Sequence, residues 1–494
     1  MSRRGGCLSD DAELLCNYNR RMYDVLQKAH DHARSFLDQL PGRPVHPTAS
    51  LEELRRTLRV AMTEGGEPAE KVLDDLVRAA DPGIMPNAGG RFFGFVVGGA
   101  LPVSVAADWM VSAWDQNPGI YALAPAEAVI EETAAAWVLE LLGLPSQSSV
   151  GFVTGAQMAN FTALAAARYE QLRQAGWDVN LDGLQGAPEL DIIVGEEVHV
   201  TVTRALRYLG LGTRRMRVIA ADSQGRMKAS ELETALKKRN GPTIVCAQAG
   251  NVNSGAVDPI GEIAEATRSA RAWLHVDGAF GLWARAVPSM KHLIEGVERA
   301  DSWATDAHKW LNVPQDSGIV IVANAAAHKA AVSTDAAYLI KTAGAERDAI
   351  DGVPEFSRRG RGVPVYAALR HLGRSGLAAM IERCCRHART MAERLAAFPG
   401  VEVLNEVVLN QVLVRFIPES GSADEFTRAV IRRIQEDGTC WLGGSIWKER
   451  GVMRISVSSW ATTDQDVEAS LDAILRCLES EKAGQTQRLR QTRD

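Results

Sequence analysis

The chain has 494 residues, of which 46% are hydrophobic and 23% are charged, and its formal net charge is −6. This is ordinary globular composition, with room for two or three structural units around a large core. A mildly acidic chain offers no attraction to nucleic acid or to an anionic membrane, and no apolar run approaches the ~20 residues of a membrane helix. Since the start of the chain also lacks a signal-like apolar stretch, we expect a cytoplasmic protein.

The seven cysteines indicate reduced thiols, because their number is odd and no Cys-x-x-Cys pair occurs. One cluster, Cys384-Cys385-Arg386-His387, invites a metal interpretation. Adjacent residues on a helix point about 100° apart, however, so this cluster does not supply a tetrahedral ligand set. We therefore expect no bound metal.

Residues 1–105 are predicted to form a helical N-terminal segment. Helical periodicity covers 10–40, a proline-rich break follows at 41–47, and 48–50 can cap a second helix over 51–64. A segment of this kind cannot bury its apolar face alone. We expect it to pack at a dimer interface, although packing on its own large domain fits the pattern equally well.

Residues 106–375 alternate helices with short apolar runs, which predicts a large α/β domain. Helices are predicted over 126–144 and 158–175. The predicted strands number seven: 151–155, 191–195, 216–221, 243–249, 272–277, 302–306 and 318–323. This alternation favours a mostly parallel seven-stranded sheet that is covered on both faces. Ligands of such sheets bind beyond the carboxyl ends of strands, where Gly155, Asp277 and Lys309 all fall.

Residues 376–481 are predicted to form a smaller α+β domain. Its helices are expected at 374–397, 423–437 and 464–481, and its strands at 401–405, 411–416 and 453–458. The tail 482–494 is polar and unpatterned, so we expect it to be disordered.

Lys309 and Asp277 together suggest pyridoxal phosphate. Lys309 lies in Asp-Ser-Trp-Ala-Thr-Asp-Ala-His-Lys-Trp (301–310), and Asp277 lies in Leu-His-Val-Asp-Gly-Ala-Phe-Gly (274–281). A lysine amine can form a Schiff base with the cofactor's aldehyde, and a carboxylate facing the pyridine nitrogen keeps the ring protonated. The motif Ala-His-Lys-Trp by itself is a weak signal, but Lys309 and Asp277 together, at the ends of successive predicted strands, form a stronger one.

These motifs resemble those of the group II pyridoxal-phosphate-dependent amino-acid decarboxylases, the family of aromatic-amino-acid, glutamate and histidine decarboxylases. The resemblance covers roughly 70–475 and rests on Asp277-Gly-Ala279, Asp306-Ala-His308-Lys309-Trp310 and His199. It implies the aspartate-aminotransferase-like, type I fold and a homodimer with active sites at the subunit interface. It also implies decarboxylation of an amino acid to the amine and CO2, through an external aldimine and a quinonoid.

The resemblance assigns further cofactor contacts residue by residue. His199 would stack on the cofactor ring, and Ala156 and Gln157, in the turn 154–157, would bind the phosphate at a helix start. Asn251, where relatives often have threonine, would contact the ring substituents. His308 and Asp306 flank the same region, and Asp306 is predicted to orient other groups because its carboxylate would repel a phosphate.

Three more segments are implicated by the resemblance. Tyr338 matches a mobile-loop tyrosine that returns a proton to Cα, and 341–353 would belong to that lid. Ser357, in the basic turn 357–361, matches a segment that reaches the neighbouring subunit's cofactor phosphate. Candidates for the substrate pocket are Phe92, Phe93, Phe95 and Tyr121.

The sequence leaves the substrate and the branch of chemistry open. An aromatic or apolar amino acid is favoured, while glutamate-like and diamino substrates remain alternatives. Transamination, aldol cleavage and aldehyde synthesis use the same anchors, and a non-catalytic binding role also fits. A nucleotide-binding Rossmann protein fits less well, because neither Gly-x-Gly-x-x-Gly nor a Walker loop occurs.

Overall fold

The computed structural model describes the backbone of residues 10–333 and 346–491, with side chains from 22 to 485 within those ranges. Its central feature is a seven-stranded sheet with strand order β1-β7-β6-β5-β4-β2-β3. The strands are β1 (Ser149–Val153), β2 (Asp191–Gly195), β3 (Arg217–Ile219), β4 (Thr243–Gln248), β5 (Trp273–Asp277), β6 (Ser302–Asp306) and β7 (Gly318–Val322). Only β7 runs antiparallel to its neighbours. The predicted mostly parallel seven-stranded sheet is therefore confirmed.

The strands are buried because helices cover both faces of the sheet. In chain order these helices are α4 (Pro102–Trp114), α5 (Pro125–Leu142), α6 (Ala156–Gln174), α7 (Val179–Asp182), α8 (Val200–Tyr208), α9 (Ala229–Lys237), α10 (Ile260–Ser269) and α11 (Ala325–Val332). The helix α6 is rich in buried alanine, which lets its backbone approach the sheet closely. Short 3₁₀ helices occupy Asp81–Gly83, Gly281–Ala286, Pro288–Ile294, Val297–Arg299 and Ala349–Gly352.

The N-terminal segment contains α1 (Asp10–Gln39), α2 (Leu51–Leu58) and α3 (Ala69–Ala80). Ser50 caps α2 with a capping box, as predicted, but the helix stops at Leu58, so the prediction of helix through 64 is wrong. The next turn would bury nothing, since Val60 and Met62 are fully or largely exposed. The segment packs on its own chain, where the amide of Val45 donates to the carbonyl of Gly438 at 2.7 Å.

The C-terminal part is built on an antiparallel four-stranded sheet of order β10-β11-β9-β8. Its strands are β8 (Val401–Val403), β9 (Gln411–Phe416), β10 (Gly443–Trp447) and β11 (Arg450–Ser456), and its helices are α12 (Gly362–Ala396), α13 (Ala423–Asp437) and α14 (Asp464–Gln491). The strand β10 was not predicted, because it opens with two glycines. The prediction of disorder from 482 onward is wrong up to Gln491, since α14 continues.

The helix α12 begins before its predicted start at 374 and is interrupted at Gly373, whose φ of 60° lies outside the helical range. We propose that this glycine marks the division between the large and the small domain, which the sequence placed at 375/376. One core nevertheless continues across it, including Trp310 from the large sheet's side and Cys384 from α12.

In the described part of the chain, no helix is long and apolar enough to cross a membrane. Among the same residues, no group of three His, Cys, Asp or Glu side chains is arranged to hold a metal ion. Cys246, Cys384, Cys385, Cys440 and Cys477 are buried free thiols.

Candidate active site

Two glycines bring the start of α6 against the carboxyl ends of the parallel strands. A Cβ on Gly318, the first residue of β7, would lie 2.4 Å from the Cα of Gly155, which precedes α6. Only a residue without a side chain fits there. As a result the amide of Ala156 reaches the end of β6 and donates to Asp306 Oδ1 at 2.6 Å.

Asp306 is the carboxylate around which the lysine is placed. Its Oδ2 lies 3.0 Å from Lys309 Nζ, and its Oδ1 lies 3.5 Å from His308 Nε2. The Asp306 side chain is 3% exposed and that of Lys309 is 17% exposed. Asp306 therefore contacts an amine, an imidazole and a helix N-terminus, a geometry that suits an orienting residue.

The backbone after Lys309 is held by Asn312. Its amide nitrogen donates to the carbonyl of Lys309 at 3.3 Å, and its Oδ1 accepts from the amides of Gly99 at 2.8 Å and Trp460 at 2.9 Å. Gly98 lies so close that a Cβ there would be 2.0 Å from the Lys309 carbonyl oxygen. Lys309 thus lies where the N-terminal segment, the large domain and the C-terminal part meet.

Asp277, at the end of β5, is a buried carboxylate without an ion pair to any described side chain. Its Oδ1 accepts from the backbone N–H of Ala279, and its Oδ2 accepts from the side-chain Nδ2 of Asn160, both at 3.3 Å. Burial raises the pKa of Asp277, while nearby His199 and Lys309 oppose that rise. A cation placed against this carboxylate would be strongly bound, because the site is largely dry.

His199 precedes α8 and lies close enough to Asp277 for their charges to interact. The backbone N–H of Thr201 donates to His199 Nδ1 at 3.4 Å, and the Thr201 hydroxyl lies 2.8 Å from the same nitrogen. Since a backbone amide can only donate, Nδ1 accepts and the ring proton sits on Nε2. Burial lowers the pKa of His199, which also favours the neutral ring.

Three other residues that were predicted to contact the cofactor have hydrogen-bond partners within the chain. The amide of Gln157 donates to the carbonyl of Thr201 at 3.3 Å, while its buried Oε1 has no partner among the described residues. His308 Nδ1 accepts from the amide of Ser317 at 3.3 Å. Asn251 Oδ1 accepts from the amides of Asn253 and Ser254, so its oxygen closes its own turn.

The basic turn 357–361 does not present free guanidinium groups. Arg358 makes two 2.7 Å bonds to Glu131 with both side chains 1% exposed, while Arg359 pairs with Asp108 and Arg361 with Asp316. Ser357 is exposed. Arg358 therefore uses its charge inside its own chain, and the assignment of Ser357 and this turn to a neighbouring subunit's cofactor phosphate stays a prediction.

Beside that ion pair, Glu127 is a buried carboxylate with no hydrogen-bond partner among the described residues. Burial and the adjacent Glu131 raise the pKa of Glu127 to about 7. The folded protein therefore holds a proton between about pH 4.5 and about pH 7 that the unfolded chain releases, so this contribution to stability falls as the pH rises through that window.

We expect Glu127→Gln to remove that pH dependence, because glutamine keeps the shape of a protonated glutamate. Urea unfolding at about pH 5 and about pH 8 measures it. The variant should gain stability over wild type at the higher pH only. Glu132→Gln, an exposed position on the same helix, is the control and should change nothing; equal effects of both substitutions would contradict the assignment.

The aromatic candidates separate into core and cleft positions. Phe92 and Phe95 both stack on Trp441, with ring centroids 5.0 and 5.3 Å apart, and Phe95 is 64% exposed. Phe93 is fully buried in the core. The amide of Tyr121 donates to Asp348. Tyr338 lies outside the described residues, so its role stays a prediction.

Sequence reasoning missed Arg454 and Asn160. Arg454, in β11, is half-buried, lies near enough to His199 to lower its pKa, and has no side-chain partner among the described residues. Asn160 is fully buried on α6 and bonds Asp277. Each is a polar residue in an otherwise apolar stretch, which is the signal that sequence analysis could have used. Arg454 lies between Met453 and Ile455, and Asn160 follows Ala159.

Comparison with known proteins agrees with this geometry. The Pyridoxal-dependent decarboxylase conserved domain matches residues 52–417. The aromatic-L-amino-acid decarboxylase of Bacillus atrophaeus is 28% identical over 476 residues, which cover 93% of this chain and 95% of that protein. Human cysteine sulfinic acid decarboxylase is 27% identical, with 86% and 89% covered.

Solved structures share the fold. The structure of Oryza sativa TDC with PLP and tryptamine superposes with a TM-score of 0.87 at 24% identity, covering 97% of this chain and 99% of that one. Mouse CSAD gives 0.84 at 23% identity, with 94% and 98% covered. The type I, aspartate-aminotransferase-like fold is thereby confirmed.

The described residues fit pyridoxal phosphate. Lys309 offers an amine, Asp277 is a buried carboxylate that a protonated ring nitrogen would neutralise, and His199 offers a flat neutral ring beside it. The close contact between Gly155 and Gly318 brings the start of α6, where amides can bind a phosphate, beside Asp306 and Lys309. The family domain matches residues 52–417, which make up most of the chain. The protein therefore belongs to the pyridoxal-phosphate-dependent amino-acid decarboxylases and is a carboxy-lyase.

Proposed function

We propose that this enzyme decarboxylates an aromatic or apolar L-amino acid to the corresponding amine. The observation that carries the proposal is the stack of Phe92, Phe95 and Trp441. Phe95 lies three residues before Gly98, whose backbone touches the carbonyl of Lys309. The exposed ring of Phe95, on the segment that leads to the lysine, offers an aromatic face that suits a planar apolar side chain. Relatives named for aromatic substrates support the same choice.

The proposed roles follow from where each side chain lies. When bound, pyridoxal phosphate supplies the conjugated ring that accepts the electron pair of the bond between Cα and the carboxylate. Lys309 holds the cofactor, and Asp306 positions its amine. Asp277 holds a proton at the ring nitrogen, and His199 packs on the ring with its Nε2 proton available. The amides at the start of α6, with Ala156 and Gln157, and His308 hold the phosphate.

After CO2 has left, the proposed reaction returns a proton to Cα, and Lys309 would then release the amine product. We assign the protonation of Cα to Tyr338, by its match to the lid tyrosine of the family. A phenol carried on a closing loop delivers a proton while water is kept out. If the proton went to the cofactor's aldehyde carbon instead of Cα, hydrolysis would release an aldehyde and leave the amine nitrogen on the cofactor.

One observation favours a second candidate, an acidic amino acid. Arg454 places a half-buried guanidinium near His199, and burial lowers the pKa of Arg454. A buried guanidinium without a carboxylate partner is costly, and a carboxylate or sulfinate on the substrate would remove that cost. Relatives that act on acidic amino acids are named alongside the aromatic ones.

Mass spectrometry of the products formed from a mixture of aromatic, aliphatic, basic and acidic amino acids tests both candidates. An amine from an aromatic or apolar substrate supports the proposal, and an amine from an acidic substrate supports the second candidate. In the second case Arg454→Met should lower kcat/KM by about 10²-fold, while Arg415→Met, at an arginine of β9 that pairs with Asp424, should not. If the products were aldehydes or keto acids and no amine was formed, both candidate functions would be contradicted.

We also propose that the enzyme works as a homodimer in the cytoplasm. Several large apolar side chains of α4, α5 and the loop between them are exposed on the single chain: Trp109, Met110, Trp114, Leu123 and Val129. Five large exposed apolar side chains within one stretch of the chain favour burial against a second copy. Five buried free thiols favour a reducing compartment. Sedimentation showing only monomers, or cell fractionation placing the protein outside the cytoplasm, would contradict these statements.

A further inference from the structure

A chain of hydrogen bonds runs behind Asp277 through the core of the large domain. Trp273 Nε1 donates to Ser302 Oγ at 2.9 Å, and Ser302 Oγ lies 3.0 Å from His275 Nδ1. His275 Nε2 lies 2.9 Å from Asn160 Oδ1, and Asn160 Nδ2 lies 3.3 Å from Asp277 Oδ2. All five side chains are at most 4% exposed.

With Asp277 ionised, every bond in this chain has one direction. The carboxylate only accepts, so it faces the NH2 group of Asn160 and the amide oxygen faces His275. His275 therefore carries its proton on Nε2, and its Nδ1 accepts from the Ser302 hydroxyl, whose oxygen accepts from Trp273. Burial lowers the pKa of His275 to about 3, which keeps the ring neutral as this arrangement requires.

The same amide has a second branch toward His199. Asn160 Nδ2 also lies 3.1 Å from Thr201 Oγ1, which lies 2.8 Å from His199 Nδ1. Because the Thr201 oxygen accepts from Asn160, its hydroxyl proton points at His199. One NH2 group therefore reaches both the carboxylate and, through Thr201, the imidazole that flank the cofactor ring.

We propose that Asn160 is a positioning residue for the cofactor ring: its amide orients Asp277 and His199 together, and His275, Ser302 and Trp273 hold that amide in place. Neither function of the amide requires contact with the cofactor. The other titratable groups that interact with Asp277 are His199, Lys309, Asp306 and the thiol of Cys246. Of the described side chains, only that of Asn160 donates a hydrogen bond to Asp277 Oδ2.

The decisive measurement compares binding of pyridoxal phosphate with binding of its analogue in which the ring nitrogen is replaced by CH. Asp277 can discriminate between them only when its carboxylate is correctly placed. In Asn160→Asp the new carboxyl group still accepts from His275 but puts an acceptor opposite Asp277. We expect the preference for the natural cofactor to fall by about tenfold and kcat to fall by about 10- to 100-fold, with KM changed less.

A purely structural role would weaken both ligands equally and leave the preference unchanged, which would overturn the proposal. Gln171→Glu provides the matched control, since Gln171 is a buried amide on the same helix that accepts from the amide of Thr243, away from Asp277. It should keep the wild-type preference; the same loss there would also overturn the proposal. If Asn160→Asp does not fold, Ser302→Ala takes its place as the test. We expect Ser302→Ala to lower the preference for pyridoxal phosphate over the analogue by about threefold. An unchanged preference would contradict the proposal.

Discussion

Lys309→Ala is expected to lower turnover on every amino acid by about 10⁴-fold or more. In the proposed function this amine would hold the cofactor until the substrate's amine replaces it, and no other lysine among the described residues contacts Asp306. The substitution also leaves the buried Asp306 without its cation, so its contacts with Ala156 and His308 alone must hold it.

Two measurements check this expectation. Product formation should disappear, and borohydride reduction should fix the cofactor to the wild-type protein but not to the variant. Lys228→Ala is the control, because Lys228 is an exposed lysine that pairs with Glu231 away from the site. Turnover above about a tenth of wild type in Lys309→Ala would show that another residue carries the cofactor.

Asp277→Asn is expected to lower kcat by roughly 10³-fold, with a smaller change in KM. Asparagine is nearly the same size and can still accept from the amide of Ala279, but it has no charge to hold a proton on the ring nitrogen. The ring then withdraws electrons less strongly from the bond that breaks. The effect is large because the site is dry, where the interaction between opposite charges is strongest.

Steady-state kinetics on the identified substrate measures this effect. The matched control is Asp301→Asn, at a largely buried aspartate that accepts from the amide of Leu274 at 2.7 Å at the opposite end of the sheet. That variant should change stability without the same loss in kcat. If the loss of kcat in Asp277→Asn came entirely from a smaller fraction of folded protein, Asp277 would serve the fold alone.

Local patterns in the sequence were sufficient for the strands. All seven strands of the large sheet were predicted, and the ranges 191–195 and 302–306 match to the residue. Buried parallel strands are continuous apolar runs, so each is visible without knowledge of its neighbours. Because parallel strands share one carboxyl edge, the same pattern also brought Gly155, Asp277 and Lys309 to one edge of the sheet.

Element ends were predicted less well because their limits depend on packing. Residues 59–64 have helical character but nothing to pack against, so α2 ends at Leu58. Residues 482–491 have no apolar pattern, yet they extend a helix that is already anchored. The strand β10 contains two glycines and forms because it pairs along its whole length with β11.

The sequence by itself determined the family and led to the two residues proposed for the main roles, because Lys309 and Asp277 lie in short contiguous motifs. Only the tertiary structure decided how they are held. Asp306, beside Lys309, accepts from the backbone amide of Ala156, Arg358 pairs with Glu131, and Asp277 accepts from the side-chain amide of Asn160, more than a hundred residues earlier in the chain. Arg454 comes to His199 from the other sheet. Partners so distant in sequence leave no local periodicity, since their proximity results from the packing of whole elements.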